Sequence, residues 1–204
     1  MVLLDLTRDA ILAPLGLLPY SSSFVFELID MVIMSIVLGF IFSDFIGRPS
    51  ADPLDAYKRN RWRNLKVAAL IAGPAVVLHE LAHKLFAMAF GAQATLYAPY
   101  GWYIIAVALK LIGFPFIILV GAFVAHTPLP PLESAIVAIS GPAVNFLLWG
   151  LAILAVKAKK IPPKYLPYAV PFARLNLILG IFNMIPLPGL DGWGALTGLY
   201  QALF

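Results

Sequence analysis

Apolar runs of roughly twenty residues recur along this chain, and they constrain its fold more than any other feature. A helix of that length spans about 30 Å, the thickness of a bilayer's hydrocarbon core. The runs fall at about 24–47, 67–90, 103–125 and 134–156, and again from about 166 to the end. Composition agrees: 62% of the 204 residues are hydrophobic and 12% charged, where soluble domains have roughly 45–50% and about 25%. A water-soluble fold is excluded. The expected class is an all-α polytopic membrane protein of four to six hydrophobic helices, with the lipid bilayer as its solvent. The net charge of +4 does not point to nucleic acid, because the excess Lys and Arg sit in two short loops between apolar runs, where they report topology. With no Cys, any metal must be held by His, Asp or Glu.

The chain divides into residues 1–66, comprising an interfacial lead-in (1–23), the first span and a basic loop, and residues 67–204, a core that holds the remaining polar motifs. The lead-in is broken by Pro14, Gly16 and Pro19 and lacks the basic start and cleavage site of a signal peptide. Residues 92–103, set between Gly and Pro breakers, predict a short strand or hairpin at the membrane boundary. The run at 103–125 is long enough to span, but Gly113 and Pro115 cut it into pieces too short to cross alone, so a re-entrant hairpin competes with a span. A re-entrant segment there also leaves both basic loops, 48–66 and 157–164, on one side of the bilayer, as the positive-inside asymmetry prefers. The four-residue echo GPAV at Gly73 and Gly141 is either chance or a shared need for close helix packing.

Chemistry concentrates in His79-Glu80-Leu81-Ala82-His83, an HExxH pattern inside an apolar helix. The i, i+4 spacing puts both imidazoles on one face, able to share a tetrahedral Zn²⁺, while Glu80, about 100° round the helix, can act as general base. Ionisable groups at bilayer depth are costly and mark functional sites by default. A catalytic zinc has three protein ligands, and Asp191 is the best third: it is the sole acid of the last seventy residues, set among Pro186, Pro188, Gly189 and Gly192. His126 and Glu133, in a Pro-rich polar loop, are the alternatives. Asn145 and Asn183 are neutral donors within apolar segments, suited either to orienting a substrate amide or stabilising an oxyanion, or simply to bonding between helices.

HELAH followed by KLFAMAFG, then GPAVN, then NMIPLPGLDG, in that order and within hydrophobic segments, resembles the site-2 protease family of intramembrane zinc metalloproteases (peptidase family M50) over about residues 67–196. The resemblance implies Zn²⁺ held by His79, His83 and Asp191, Glu80 as catalytic base, and Asn183 as a substrate-binding or oxyanion-stabilising residue, with Asn145 matching the family's GPxxN element. It also implies that the strand near Ala94–Ala98 pairs with a locally unwound transmembrane substrate. Many relatives read DGGR where this chain has Asp191-Gly192-Trp193-Gly194, so the Arg is absent. No PDZ or nucleotide-sensing domain is expected. The expected setting is a multi-pass protein of a prokaryotic cell membrane that hydrolyses membrane-spanning proteins or peptides. The rival is a divalent-metal transporter or sensor built on the same donors, and Glu80 discriminates, because transport has no evident use for a carboxylate that does not ligate.

Five other charges invite smaller expectations. Glu27 and Asp30, near the start of the first span, should snorkel to the interface rather than form a second polar site. Lys84, at i+4 from Glu80, should point to the interface as well. Lys110 and Arg174 can reach lipid headgroups or backbone carbonyls.

Overall fold

The structure is a computed structural model that describes residues 24–46, 61–114 and 123–204. The interfacial lead-in expected at 1–23, most of the first basic loop and the second half of the 103–125 run lie outside the described residues. The order of elements is α1 (Phe24–Ile46), α2 (Arg61–Ala89), β1 (Ala94–Tyr97), α3 (Tyr100–Leu111), β2 (Phe123–His126), α4 (Pro131–Lys157), a 3₁₀ turn (Pro163–Tyr165), α5 (Leu166–Asn183) and α6 (Asp191–Leu203). Four stretches, within α1, α2, α4 and the 3₁₀ turn with α5, are long and apolar enough to cross a membrane. The all-α polytopic class holds, with a small two-stranded sheet as its one β element among the described residues.

The helices pack by bringing small residues inward. α2 buries Ala68, Ala72, Ala75 and Ala82 and exposes Leu70, Leu78, Leu85 and Phe86. That inversion suits lipid, where large apolar side chains gain nothing by leaving the acyl chains and close backbone contact drives association. α1 presents Met34, Leu38 and Ile41 to the shared core along one helical stripe, and its Gly39 lies against Ala69 of α2. α2 is central, with α1 on one side and α4 on the other, and α4 in turn carries α5 and α6.

β1 and β2 pair antiparallel, with Ala94 opposite His126 and Tyr97 opposite Phe123. The sequence announces the first strand and not the second, whose four residues, FVAH, end an apolar run that reads as helix. The register fixes where the excursion out of β1 starts and where the chain returns. The chain leaves β1 at Tyr97 and rejoins β2 at Phe123, its direct partner, so the excursion that includes α3 begins and ends at one place. α3 is 12 residues long, about 18 Å, too short to cross. α3 by itself therefore does not span, which is compatible with a re-entrant segment.

Glu27 and Asp30 correct the expectation of snorkelling: both are buried. Glu27 pairs with Lys84, and Asp30 accepts hydrogen bonds from Tyr100 and from the Ala98 N–H. An exit to the interface was not needed because α2 and the hairpin bring partners to them. Lys84 accordingly points to α1, not to the interface, while Lys110 finds backbone carbonyls on α1, as one of its two alternatives required. Arg174 is exposed.

The Gly39 contact gives a test. A Cβ there would lie 2.5 Å from the Ala69 Cα, so Gly39→Val should destabilise the α1–α2 pair by about 1–3 kcal/mol, read as a lower thermal midpoint in detergent. Leu70→Ala, on the lipid-facing side of α2, should leave the midpoint unchanged.

Candidate metal centre

α2 carries His79 and His83 one turn apart, and both are buried. Their ring orientations are set from behind. His79 Nδ1 lies 2.6 Å from Asn145 Oδ1, and His83 Nδ1 lies 2.7 Å from the Val137 carbonyl, both on α4. Asn145 Oδ1 and the carbonyl can only accept, so each Nδ1 is the protonated nitrogen and each neutral ring presents its Nε2 lone pair forward. Asn145 is itself fixed, donating through Nδ2 to the Ala75 carbonyl at 3.1 Å and to Asn176 Oδ1 at 2.9 Å, while Asn176 donates to the Phe172 carbonyl. Such hydrogen bonds behind a ligand fix its tautomer and direction.

Asp191 arrives from the far end of the chain. α5 stops at Asn183, Pro186 and Pro188 bar further helix, and Gly189 turns the chain at φ +92. Asp191 then opens α6, where the helix N-terminus favours a carboxylate. Gly192 allows this approach, since a Cβ there would meet the Met184 and Ile185 carbonyls.

Three acceptors thus converge. The Nε2 atoms of His79 and His83 are 3.1 Å apart, His79 Nε2 is 3.0 Å from Asp191 Oδ2, and His83 Nε2 is 3.4 Å from Asp191 Oδ1. Lone pairs so close repel one another unless a cation sits between them. Ligands about 2.0–2.1 Å from a tetrahedral Zn²⁺ are about 3.3 Å from each other, and the observed separations bracket that value. The donor set fits Zn²⁺ and leaves the fourth position of a tetrahedron to another molecule. His79, His83 and Asp191 form the one such grouping among the described residues; His126 and Glu133, the alternative ligands, stand outside it.

The three donors face a cavity of about 650 Å³ whose wall also includes Glu80, Asn183 and His126, with apolar residues such as Leu38, Phe42 and Leu179. Asn145 is placed differently from Asn183. It is fully buried with both ends of its amide engaged, so of the alternatives open to it, bonding between helices is the one the structure shows. Sequence reading passed over two contributors, the Val137 carbonyl, which no side-chain pattern can reveal, and Asn176, detectable as an amide in an apolar helix, and it met Gly141 only as part of the GPAV echo. A Cβ on Gly141 would collide with Nε2 of both histidines. The GPAV echo has a packing cause in both copies, for Gly73 lies equally close to Ser35 of α1.

Over 168 residues, covering 81% of each chain, this protein is 29% identical to a protein of Methanocaldococcus jannaschii named "Putative zinc metalloprotease MJ0611". No family model matches the chain, and no solved structure matches it.

Two substitutions test the centre without touching a ligand. Asn145→Ala should weaken zinc affinity about 10–100-fold, the usual effect of removing a partner behind a ligating histidine, as read by competition with a chelator. Gly141→Ala should abolish stoichiometric zinc, measured as metal per chain, because its methyl occupies the space between the two rings.

Proposed function

We propose that this protein is an intramembrane zinc metalloprotease of site-2 type that hydrolyses peptide bonds of membrane-spanning substrates. The observation that carries the reading is the convergence of His79, His83 and Asp191 on one point of an apolar cavity, with the Glu80 carboxylate on the wall of the same cavity. The named M. jannaschii relative supports the zinc metalloprotease part, and four helices able to cross a bilayer support the intramembrane part.

In this reading His79, His83 and Asp191 hold the ion, which when bound supplies Lewis acidity that polarises a carbonyl and makes water nucleophilic near neutral pH. Glu80 accepts the proton that the attacking water loses and returns it to the amide nitrogen as the C–N bond breaks. Asn183, on the cavity wall, has the N–H groups to receive the charge that grows on the carbonyl oxygen. The apolar wall from Leu38, Phe42 and Leu179 keeps bulk water away, so these interactions act at low dielectric.

The substrate strand belongs on β2. The resemblance assigns that pairing to the strand at Ala94–Ala98, but Thr95, Leu96 and Tyr97 of β1 are buried, and β1 has α1, α2 and β2 as neighbours. Phe123, Val124 and His126 of β2 line the cavity instead. Backbone pairing along β2 would give affinity with little demand on substrate sequence.

Glu80→Gln tests the chemistry. Cleavage of a transmembrane peptide by the purified protein in detergent should fall by at least about 100-fold, the ordinary share of a general base, while zinc per chain stays the same. Retained cleavage would overturn the mechanism. Zinc binding with no cleavage by wild type or variant would favour metal transport or sensing.

A further inference from the structure

One turn of the largely apolar α1 bears two carboxylates, Glu27 and Asp30, and both are buried, at 4% and 6% exposure. Glu27 pairs with Lys84, which directly follows His83 and lies one turn beyond Glu80. Asp30 accepts the backbone N–H of Ala98 at 3.2 Å, the first residue after β1, and the hydroxyl of Tyr100, the first residue of α3. One turn of α1 therefore grips both the helix that carries two of the three metal donors and the end of the sheet whose second strand lines the cavity.

α3 is held at its other end too. Lys110, in its last turn, donates to the carbonyls of Phe40 and Ile41 at 2.5 and 2.8 Å and to Ser43 Oγ at 3.0 Å. From Tyr100 at Asp30 to Lys110 at Phe40, ten residues of α3 run beside ten residues of α1 in the same direction. α3 is thus tied to α1 by polar contacts at both of its ends.

Stability alone gives no reason for these groups. Desolvating a buried charge pair offsets most of its attraction, and apolar side chains of similar size often pack as well or better. What a carboxylate adds is direction, because its lone pairs accept from particular donors in one arrangement. The donors chosen here sit at the junction of β1 and α3, and β1 in turn fixes β2 by register.

We propose that Asp30 is a positioning residue that sets the β1–β2 sheet relative to the His79–His83 turn, so that a substrate strand added to β2 meets the metal centre. The role deepens the proteolytic reading and rests on it. Asp30 touches neither metal nor substrate; it acts through Ala98 and Tyr100, and the Glu27–Lys84 pair keeps α2 in the same frame.

The test uses the full chain in lipid nanodiscs as wild type, Asp30→Asn and Tyr100→Phe, measuring zinc per chain, backbone hydrogen exchange and steady-state cleavage of a transmembrane peptide. In Asp30→Asn, amides 94–98 should exchange about tenfold faster, and KM should rise about tenfold, the size of one charge-assisted hydrogen bond. Exchange at 79–83, zinc content and kcat should change little. Tyr100→Phe, which removes one donor and leaves the carboxylate, should move the same quantities by less and keeps the question open to test if Asp30→Asn does not fold. Unchanged exchange at 94–98, a loss confined to kcat, or loss of zinc overturns the positioning role. If wild type holds zinc and cuts no peptide, the proteolytic reading has failed, and the exchange result decides the anchoring by itself.

Discussion

Two imidazole nitrogens and a carboxylate aimed at one another cannot stay so arranged without positive charge between them, and the rest of the structure is built to hold that arrangement. His79 and His83 present lone pairs because Asn145 and the Val137 carbonyl occupy their other nitrogens. Asn145 can do so because Asn176 and the Ala75 carbonyl take up its own amide. The ring-to-ring approach needs a glycine at 141, and the arrival of Asp191 needs one at 192. Helices α2, α4, α5 and α6 are each committed by at least one of these contacts, so the centre and the bundle form together.

The same logic governs the polar groups away from the metal. In hydrocarbon an unpaired charge or amide costs several kcal/mol, and no buried side-chain nitrogen or oxygen among the described residues lacks a hydrogen-bond partner. Glu27 and Lys84 neutralise each other, and Lys110 caps carbonyls of α1. Each of these contacts joins segments far apart in the chain. Polar residues here choose which helix lies against which, a choice that apolar surfaces in lipid leave undecided.

The hairpin shows how a short sheet can be kept in such a place. Among the described residues its ladder is β1–β2 alone, with no further strand beside β2 next to the cavity. An exposed edge in lipid would be costly, whereas one facing a cavity wall with His126, Asn183 and Glu80 has polar company and room for another strand.

The all-α class, a range of four to six hydrophobic helices and the metal chemistry were legible in the sequence alone, because these depend on local patterns: twenty-residue apolar runs, the i, i+4 spacing of HExxH, and a lone acid among helix breakers at Asp191. That no uninterrupted helix fills the 103–125 run was legible as well, through the breaker Gly113, by which α3 has ended. Tertiary structure decided what depends on partners remote in the chain. Strand β2 is invisible locally because FVAH continues an apolar run and becomes a strand only by pairing with β1. Whether Asn145 meets substrate or a histidine ring, and whether Glu27 and Asp30 leave the membrane or stay within it, turned on contacts spanning 57 to 70 residues of chain. Period and composition report which face of a helix is apolar; only packing reports what a polar group on that helix will find opposite it.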